Sequence, residues 1–478
     1  MSMEEKRADS GYPSAVYAWY VVVVLTIAYT VSFIDRQIIA LMVEPIRRDL
    51  DISDTQMSLL LGLAFAIFYT LLGIPIARLA DRYSRRGIIA AGITIWCLMT
   101  AACGLSRNYI QLFLARVGVG VGEAALSPSA LSMMSDYFPK ETRGRAVAFY
   151  TMGISMGVGL AMILGGQVIA LVSQAPPVTL PVVGELYAWQ TVFVVVGLPG
   201  ILVAALMLTV KEPERKGRMS AEAGADADGH LSLATVIRFF LQRWRMYGSH
   251  FFGMSTVGIL SYGFFAWIPT MFIRTWDWAV EDIGLAYGVV TLVAGPVSIV
   301  LASWLPEYLM KRGAEDAHMR AALYLNLMGV VCAVLTPLMP SPALALVMLL
   351  PMTAGVLAST SAGISALMIV TPNQLRAQAS ALYYFVVNIL GLTVGPTGIA
   401  VFTDYVFRDE SMLRYSVGSV AVLAGLFATG ILAYNLRQYR LSFKESQAWE
   451  PARSSLEPPD HLPGTAAPAS ASASDSDY

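Results

Sequence analysis

The sequence predicts an all-α polytopic membrane protein, with twelve transmembrane helices in two six-helix bundles around a central cavity. Hydrophobic residues make up 56% of the chain and charged residues only 14%, a balance too apolar for a soluble globular protein of this size. The apolar residues fall in long continuous runs near the ~20 residues a helix needs to cross a bilayer, without the short alternating segments of a barrel. The two halves also echo each other. Pro139-Lys-Glu-Thr-Arg143-Gly-Arg-Ala146-Val-Ala148-Phe-Tyr150 recurs as Pro372-Asn-Gln-Leu-Arg376-Ala-Gln-Ala379-Ser-Ala381-Leu-Tyr383, at a constant offset of 233 residues. Two six-helix repeats in the same orientation are what a rocking-bundle carrier needs.

The first apolar run, residues 18–43, is of full spanning length and lacks a small-residue cleavage site, so it is expected to remain as a spanning helix. Spans follow at 56–77, 87–105, 110–134, 144–171 and 187–210, bounded by charged, Pro or Asn/Asp-containing turns. Residues 1–210 therefore form the expected N-terminal bundle. Lys211 to His230, rich in Glu, Ala, Gly and Asp, reads as a flexible linker. Leu231 to Arg245 then sets Ile237, Phe239, Phe240, Leu241 and Trp244 beside Arg238, Arg243 and Arg245, the pattern of a helix lying at a membrane surface. Residues 211–246 are thus expected to be a cytoplasmic linker carrying an interfacial helix. The second bundle, 247–437, holds spans at 247–273, 283–305, 319–338, 343–369, 376–403 and 413–437. The tail, 438–478, is Pro-, Ser- and Ala-rich and is expected to be disordered.

The formal net charge of −1 hides an asymmetry. Placing the amino terminus in the cytoplasm puts 24 Lys and Arg on that side and 6 on the other, leaving Arg36 and Arg116 inside the membrane. An even number of spans then puts both termini in the cytoplasm of a multi-pass inner-membrane protein.

Several function classes fall away. Cys97, Cys103 and Cys332 all lie within spans and match no metal-ligand spacing. The four His residues, at 230, 250, 318 and 461, show no catalytic or zinc spacing, which argues against an enzyme. No phosphate-binding Gly-rich loop with Lys and Ser/Thr is present, so the energy source is expected to be an ion gradient or the substrate's own gradient. No cofactor, metal or nucleic-acid partner is expected, and the protein is expected to work as a monomer among membrane lipids.

The functional signal lies in charges at membrane depth, which are costly unless they face a watery cavity or each other. The fourth span contains Arg116-Val-Gly-Val-Gly-Val-Gly-Glu123, and the first contains Asp35-Arg36. At the helical rise, Arg116 and Glu123 lie roughly 9 and 20 Å from the outer end of their span, and Asp35 roughly 12 Å from that of its own. Residues seven apart share a helix face, so these four are expected to border one cavity. Gly118 and Gly122 let a neighbouring helix come close. Ile38 to Val43 continues the apolar run, against an end of the first helix near Ile34. Asp35 and Glu123 are the expected proton carriers, because burial and a movable Arg shift a carboxyl between proton binding and release. Arg36 and Arg116 have two readings, counter-charges to those carboxyls or a guanidinium clamp for an anion. Arg36 is assigned to substrate and Arg116 to tuning. In the second half Tyr262, Phe265, Trp267, Thr360, Ser361 and Asn388 are candidate lining residues. The repeat offset puts Val356 opposite Glu123, and a polar site facing an apolar wall suits an amphipathic substrate.

Between the second and third spans stands Ala77-Arg-Leu-Ala-Asp81-Arg82-Tyr-Ser84-Arg85-Arg86. It resembles the cytoplasmic signature of the major facilitator superfamily, Gly-x-Leu-Ala-Asp-Arg-x-Gly-Arg-Arg, with Ala77 and Ser84 in place of the glycines. The resemblance implies the major facilitator fold and a conformational latch. In it Asp81 and Arg85 join Asp136, Arg82 and Arg86 complete the cationic turn, and the helix starting near Arg376 supplies an opposing dipole. Only Glu307, Lys311 and Arg312 stand at the equivalent loop of the second half. Thr30-Val-Ser-Phe-Ile-Asp35-Arg36, the Arg116 to Ala124 run and Phe149-Tyr150 resemble the spinster family of that superfamily, and this chain resembles a bacterial member. Animal members export or release sphingosine-1-phosphate and lysophospholipids. The resemblance implies a proton-coupled carrier working by alternating access on an amphipathic or lipid-like substrate. The alternative is a proton-coupled symporter of small organic anions.

Overall fold

The computed structural model describes residues 12–180, 184–215 and 233–447. Among them, twelve helices are long and apolar enough to cross a membrane. They are α1 (Ala15–Leu41), α2 (Asp54–Gly73), α3 (Arg85–Cys103), α4 (Tyr109–Tyr137), α5 (Thr142–Gln174), α6 (Ala188–Met207), α7 (Trp244–Trp276), α8 (Val280–Lys311), α9 (Ala317–Leu338), α10 (Pro342–Ile369), α11 (Gln378–Phe407) and α12 (Glu410–Gln447). The α5–α6 loop adds a small antiparallel hairpin, β1 (Thr179–Leu180) with β2 (Gly184–Glu185).

Local chemistry sets the helix ends. The Ser14 hydroxyl caps α1, accepting from the Tyr17 N–H. Ser53 and Gln56 form a reciprocal capping box at the start of α2. The α-helical part of α1 runs through Asp35 and Arg36 to Gln37 and ends in a 3-10 turn, Ile38–Leu41, so both charges lie within the helix. A short amphipathic helix, Val43–Leu50, then leads to α2.

The Gly-Val repeat of α4 is a packing device. Beta-carbons at its glycines would reach 2.5 Å from Met99 at Gly118, 2.5 Å from the Phe65 carbonyl at Gly120 and 2.6 Å from the Trp96 backbone at Gly122. The repeat therefore lets α2 and α3 approach α4 to backbone contact. Just past Glu123 the helix is interrupted, resuming at Leu126.

The two bundles meet along α2–α11 and α5–α8. In the second seam a Cβ at Gly284 would lie 2.5 Å from the Met162 carbonyl, and one at Gly288 would lie 2.7 Å from that of Gly159. In the first, Gly62 sits directly against the Leu392 carbonyl. Toward the end that carries both termini, Gly73 and Gly144 face open space. The seams are therefore tight at one end and splayed at the other. Gly62→Val is expected to wedge α2 from α11 and pry the tight end open, read as increased labelling of a cysteine placed at Thr397.

Charged groups close the tight end. Arg274, at the end of α7, donates both terminal nitrogens to Asp54 at 2.7 and 2.8 Å, and its Nε to Glu44 at 2.6 Å. Arg47 reaches Asp54 at 2.9 Å and Glu410 at 2.5 Å. The Thr55 N–H donates to Asp404 at 2.7 Å, and Ser58 reaches Thr397 at 3.3 Å. Among the described residues, every hydrogen bond and ion pair joining the bundles lies at this end.

One boundary differs from expectation. Helix α12 continues past 437 to Gln447, because Tyr439 and Ser442 stay buried and Arg440 pairs with Asp316 at 2.6 Å. Of the expected linker, Leu233–Gln242 is a helix whose Phe239 and Phe240 rings pack on Tyr247 of α7. Residues 216–232 and the rest of the tail, 448–478, fall outside the described residues.

Candidate functional site

Arg36 organises the site. Its guanidinium pairs with Glu123 at 2.5 Å, and Ser32, one turn earlier on the same face of α1, donates to the same carboxylate oxygen at 2.7 Å. Three rings surround the cation, with centroids 4.2 Å away for Phe65, 4.5 Å for Phe33 and 4.9 Å for Tyr69. Such cation–π contacts hold a guanidinium in place with part of its donor set free. Tyr29 stacks on Tyr150 at 4.5 Å next to this cluster, and the Tyr150 hydroxyl lies 3.3 Å from that of Ser127.

The other two intramembrane charges sit deeper in the first bundle. Asp35 is fully buried, and both carboxylate oxygens lack a hydrogen-bond partner among the described residues. Glu123 and Arg116 lie within electrostatic reach of it, and the Trp96 indole is a polar neighbour from α3. Arg116 is fully buried as well, and it directs N–H groups at backbone carbonyls, Leu60 at 3.4 Å and Arg36 at 3.5 Å. It therefore makes no ion pair with either carboxylate among the described residues, and instead places a fixed positive charge behind Asp35 and Glu123.

In the second bundle the structure brings some expected residues to the site and leaves others elsewhere. Tyr262 lies within electrostatic range of Arg36, and its hydroxyl donates to Asn388 at 3.0 Å. Phe265 faces Tyr287 of α8 at 6.3 Å. Trp267 is fully buried, and its indole N–H donates to the Pro396 carbonyl at 2.9 Å, which fastens α7 to α11. Thr360 and Ser361 give their hydroxyls to carbonyls of their own helix, Val356 at 3.0 Å and Leu357 at 3.1 Å.

At the splayed end, Arg85 joins Asp136 at 2.5 Å, as the latch expectation has it. Arg82 is exposed, and the side chain of Asp81 lies outside the described residues. A carboxylate that the sequence reading passed over, Glu212, accepts from Arg85 Nε at 2.8 Å, the Arg86 N–H at 2.9 Å and the Ser84 hydroxyl at 2.9 Å. Arg85 and Arg86 also donate to the carbonyls of Pro213 and Val210. The segment after α6 thus straps the first bundle, and Arg376 donates to Thr371 within the second. No bond among these crosses between bundles.

Burial alone would raise the Glu212 carboxyl, but the Arg86 N–H, the Arg85 guanidinium and the Ser84 hydroxyl hold it below the ordinary glutamate value. A depressed folded value gives stability that is present above the unfolded pKa of about 4.3 and is lost as pH falls through the folded one. Glu212→Gln is expected to lower stability by about 1 kcal/mol after solvent screening. The gap between variant and wild-type melting curves should be full at pH 7 and shrink below pH 4.

Other site residues were also missed. Ser32 was findable, because it sits four residues before Arg36. Tyr29 and Tyr69 carried no distinguishing signal, since aromatic residues are common throughout these spans, and Tyr150 stood out only as part of the internal repeat and of the family resemblance. Glu44, Arg47, Asp54, Arg274 and Glu410 each read singly as an ordinary loop or cap charge.

Comparison with known proteins agrees with this architecture. The family profile described as Major Facilitator Superfamily matches residues 25–396. An "MFS-type efflux pump" of Mycolicibacterium smegmatis is 27% identical over 88% of this chain and 93% of its own. "Protein spinster" of Drosophila melanogaster is 27% identical over 62% of this chain, and the match spans about half, 46%, of that longer relative. The crystal structure of a bacterial homologue of the human lysosomal transporter spinster, inward-facing and occupied, superposes with a TM-score of 0.73 at 25% identity. It covers 92% of this chain and all of its own.

Proposed function

The chain belongs to the Major Facilitator Superfamily, and from that premise we propose that it couples a proton on Glu123 to the capture of an anionic, amphipathic substrate by Arg36. The observation that carries this reading is the buried Arg36–Glu123 pair beside three aromatic rings. While Glu123 is ionised it occupies the guanidinium. Once Glu123 takes a proton, the rings still hold the cation, and its freed fork accepts a phosphate or carboxylate in bidentate fashion. Proton and anion thus favour each other's binding, and linkage requires the effect to be reciprocal.

Asp35, buried without a hydrogen-bond partner among the described residues, is the second proton carrier. Arg116 tunes both carboxyls from its fixed position. Tyr262 and Asn388 supply a polar contact from the opposite bundle, and Phe265 offers an apolar surface to the substrate's hydrocarbon part. A lysophospholipid or sphingoid phosphate has this division of character.

In this reading both termini lie on the cytoplasmic side of the membrane, which the Lys and Arg asymmetry favours. The tight end then faces outward, and the splayed end opens the site to the cytoplasm. Release of the Arg274 and Arg47 pairs and engagement of the Asp81–Arg86 latch across the bundles would give the opposite state. The second reading, symport of a small organic anion, draws on the same Arg36 fork, which needs no hydrocarbon tail on its ligand.

The test is substrate-induced pH change in proteoliposomes, with lysophospholipids, sphingoid phosphates and small organic anions compared. Proton movement driven by the lipids and lost in Arg36→Gln supports the lipid carrier. A response to soluble anions alone replaces it with the symporter, and a response unchanged in Arg36→Gln overturns both.

A further inference from the structure

At the splayed end of the second bundle, away from the central site, a cavity of about 580 Å³ lies between the end of α8, the start of α9 and the extension of α12. Four cationic side chains line it, Arg312, Arg320, Arg440 and Lys444, against two carboxylates, Glu315 and Asp316. Asp316 is buried beneath, 2.7 Å from Arg320 Nη2 and 2.6 Å from Arg440 Nε, and it fixes both guanidinium groups. Lys444 is only loosely associated with Glu315, at 3.9 Å. Arg312 pairs with no carboxylate among the described residues. Its guanidinium lies 4.5 Å from the centre of the Tyr308 ring, which stacks on Trp304 at 5.4 Å.

That ladder continues along α8 as an exposed apolar stripe of Trp304, Val300, Val297 and Val293, spaced three and four residues apart. A Trp–Tyr pair of this kind marks the interface between hydrocarbon and headgroups. The cavity therefore sits at headgroup depth, with positive charge in excess and an apolar track leading from it into the bilayer. Fixed guanidinium groups suit a phosphate, and basic pockets between helices on the cytoplasmic side hold anionic lipid headgroups.

We propose that this pocket binds the phosphodiester headgroup of an anionic phospholipid whose acyl chain lies along the Trp304–Val293 face of α8. The site is independent of the substrate reading. It makes the composition of the surrounding membrane a determinant of how firmly the second bundle is held.

The test measures the melting temperature of purified protein with short-chain phosphatidylglycerol, short-chain phosphatidylcholine or inorganic phosphate. Phosphatidylglycerol is expected to raise it by several degrees and the other two are not. Arg312→Gln combined with Lys444→Gln leaves the Asp316 pairs intact and should lose at least half of the response, whereas Arg36→Gln, which disables the central site, should keep it. An equal rise with phosphatidylcholine, an equal rise with inorganic phosphate, or an unchanged response in the double variant overturns the proposal. Should the double variant fail to fold, native mass spectrometry of the wild type decides by retained lipid. Preferential retention of phosphatidylglycerol over phosphatidylcholine supports the site, and equal retention overturns it.

Discussion

Replacing Glu123 by Gln is expected to remove the share of substrate-dependent proton movement that Glu123 carries and to leave anion capture by Arg36 independent of pH. The amide keeps an acceptor for Ser32 and Arg36, so the protein still folds. Glu123→Ala leaves the guanidinium buried and unpaired, which costs about 3–5 kcal/mol. Without an ionisable group at this position Arg36 is permanently available, and affinity for an anionic substrate should stay at its low-pH value from pH 5 to 8. Binding measured across that range, together with proton flux in liposomes, checks both statements. Retained pH dependence in Glu123→Gln would assign the proton to Asp35 instead, with Asp35→Asn as the deciding variant.

Arg274→Ala should shift the conformational equilibrium more than any other single change at the tight end. Arg274 pairs with both Asp54, which is fully buried, and Glu44 across the bundles. Removing it leaves Asp54 with Arg47 alone. Loss of one partner of a buried pair costs about 3–5 kcal/mol in the state that contains it. That amount moves a two-state equilibrium by about 10² to several times 10³-fold. Spin-label distances between α2 and α11 should lengthen at this end and shorten at the other. Distances unchanged in Arg274→Ala would show that the helix seams alone hold the closed end.

The fold was legible because hydropathy and helix length are properties of single segments, and a bilayer permits few other solutions. The pairing of α1 with α4 was legible in part. Arg36 and Glu123 stand out as charges in apolar helices, and their depths overlap. What the spacing did not reveal was that Arg36 and Asp35, adjacent in sequence, serve different surroundings. Neighbouring residues on a helix point about 100° apart, so Arg36 meets Phe65 and Tyr69 while Asp35 is enclosed near Trp96.

An aromatic residue in a span looks the same whether it faces a cavity or a carbonyl, and the Pro396 carbonyl that Trp267 meets lies 129 residues away. The closing network was invisible for a related reason. Asp54 begins a helix, Arg274 ends one, and Arg47 lies near the end of a short amphipathic helix, so each charge has a sufficient local explanation. Only the meeting of α2, α7 and α12 at one end gives them a joint one. The extension of α12 was hidden by its polarity, which is suited to the partners Asp316 and Glu315 rather than to lipid.

The two ends of the molecule are held by different kinds of contact, and solution conditions act on them unequally. At the tight end, charged groups link the bundles near the surface, with Glu410 and Glu44 partly exposed. At the splayed end, the Arg85 cluster lies wholly within the first bundle. Mobile ions screen surface pairs, with a Debye length of about 10 Å at 0.1 M and about 3 Å at 1 M salt. Electrolyte in the surrounding medium therefore weakens the exposed Glu44 and Glu410 links between the bundles, while the buried Arg274–Asp54 pair and the interior of each bundle are screened far less.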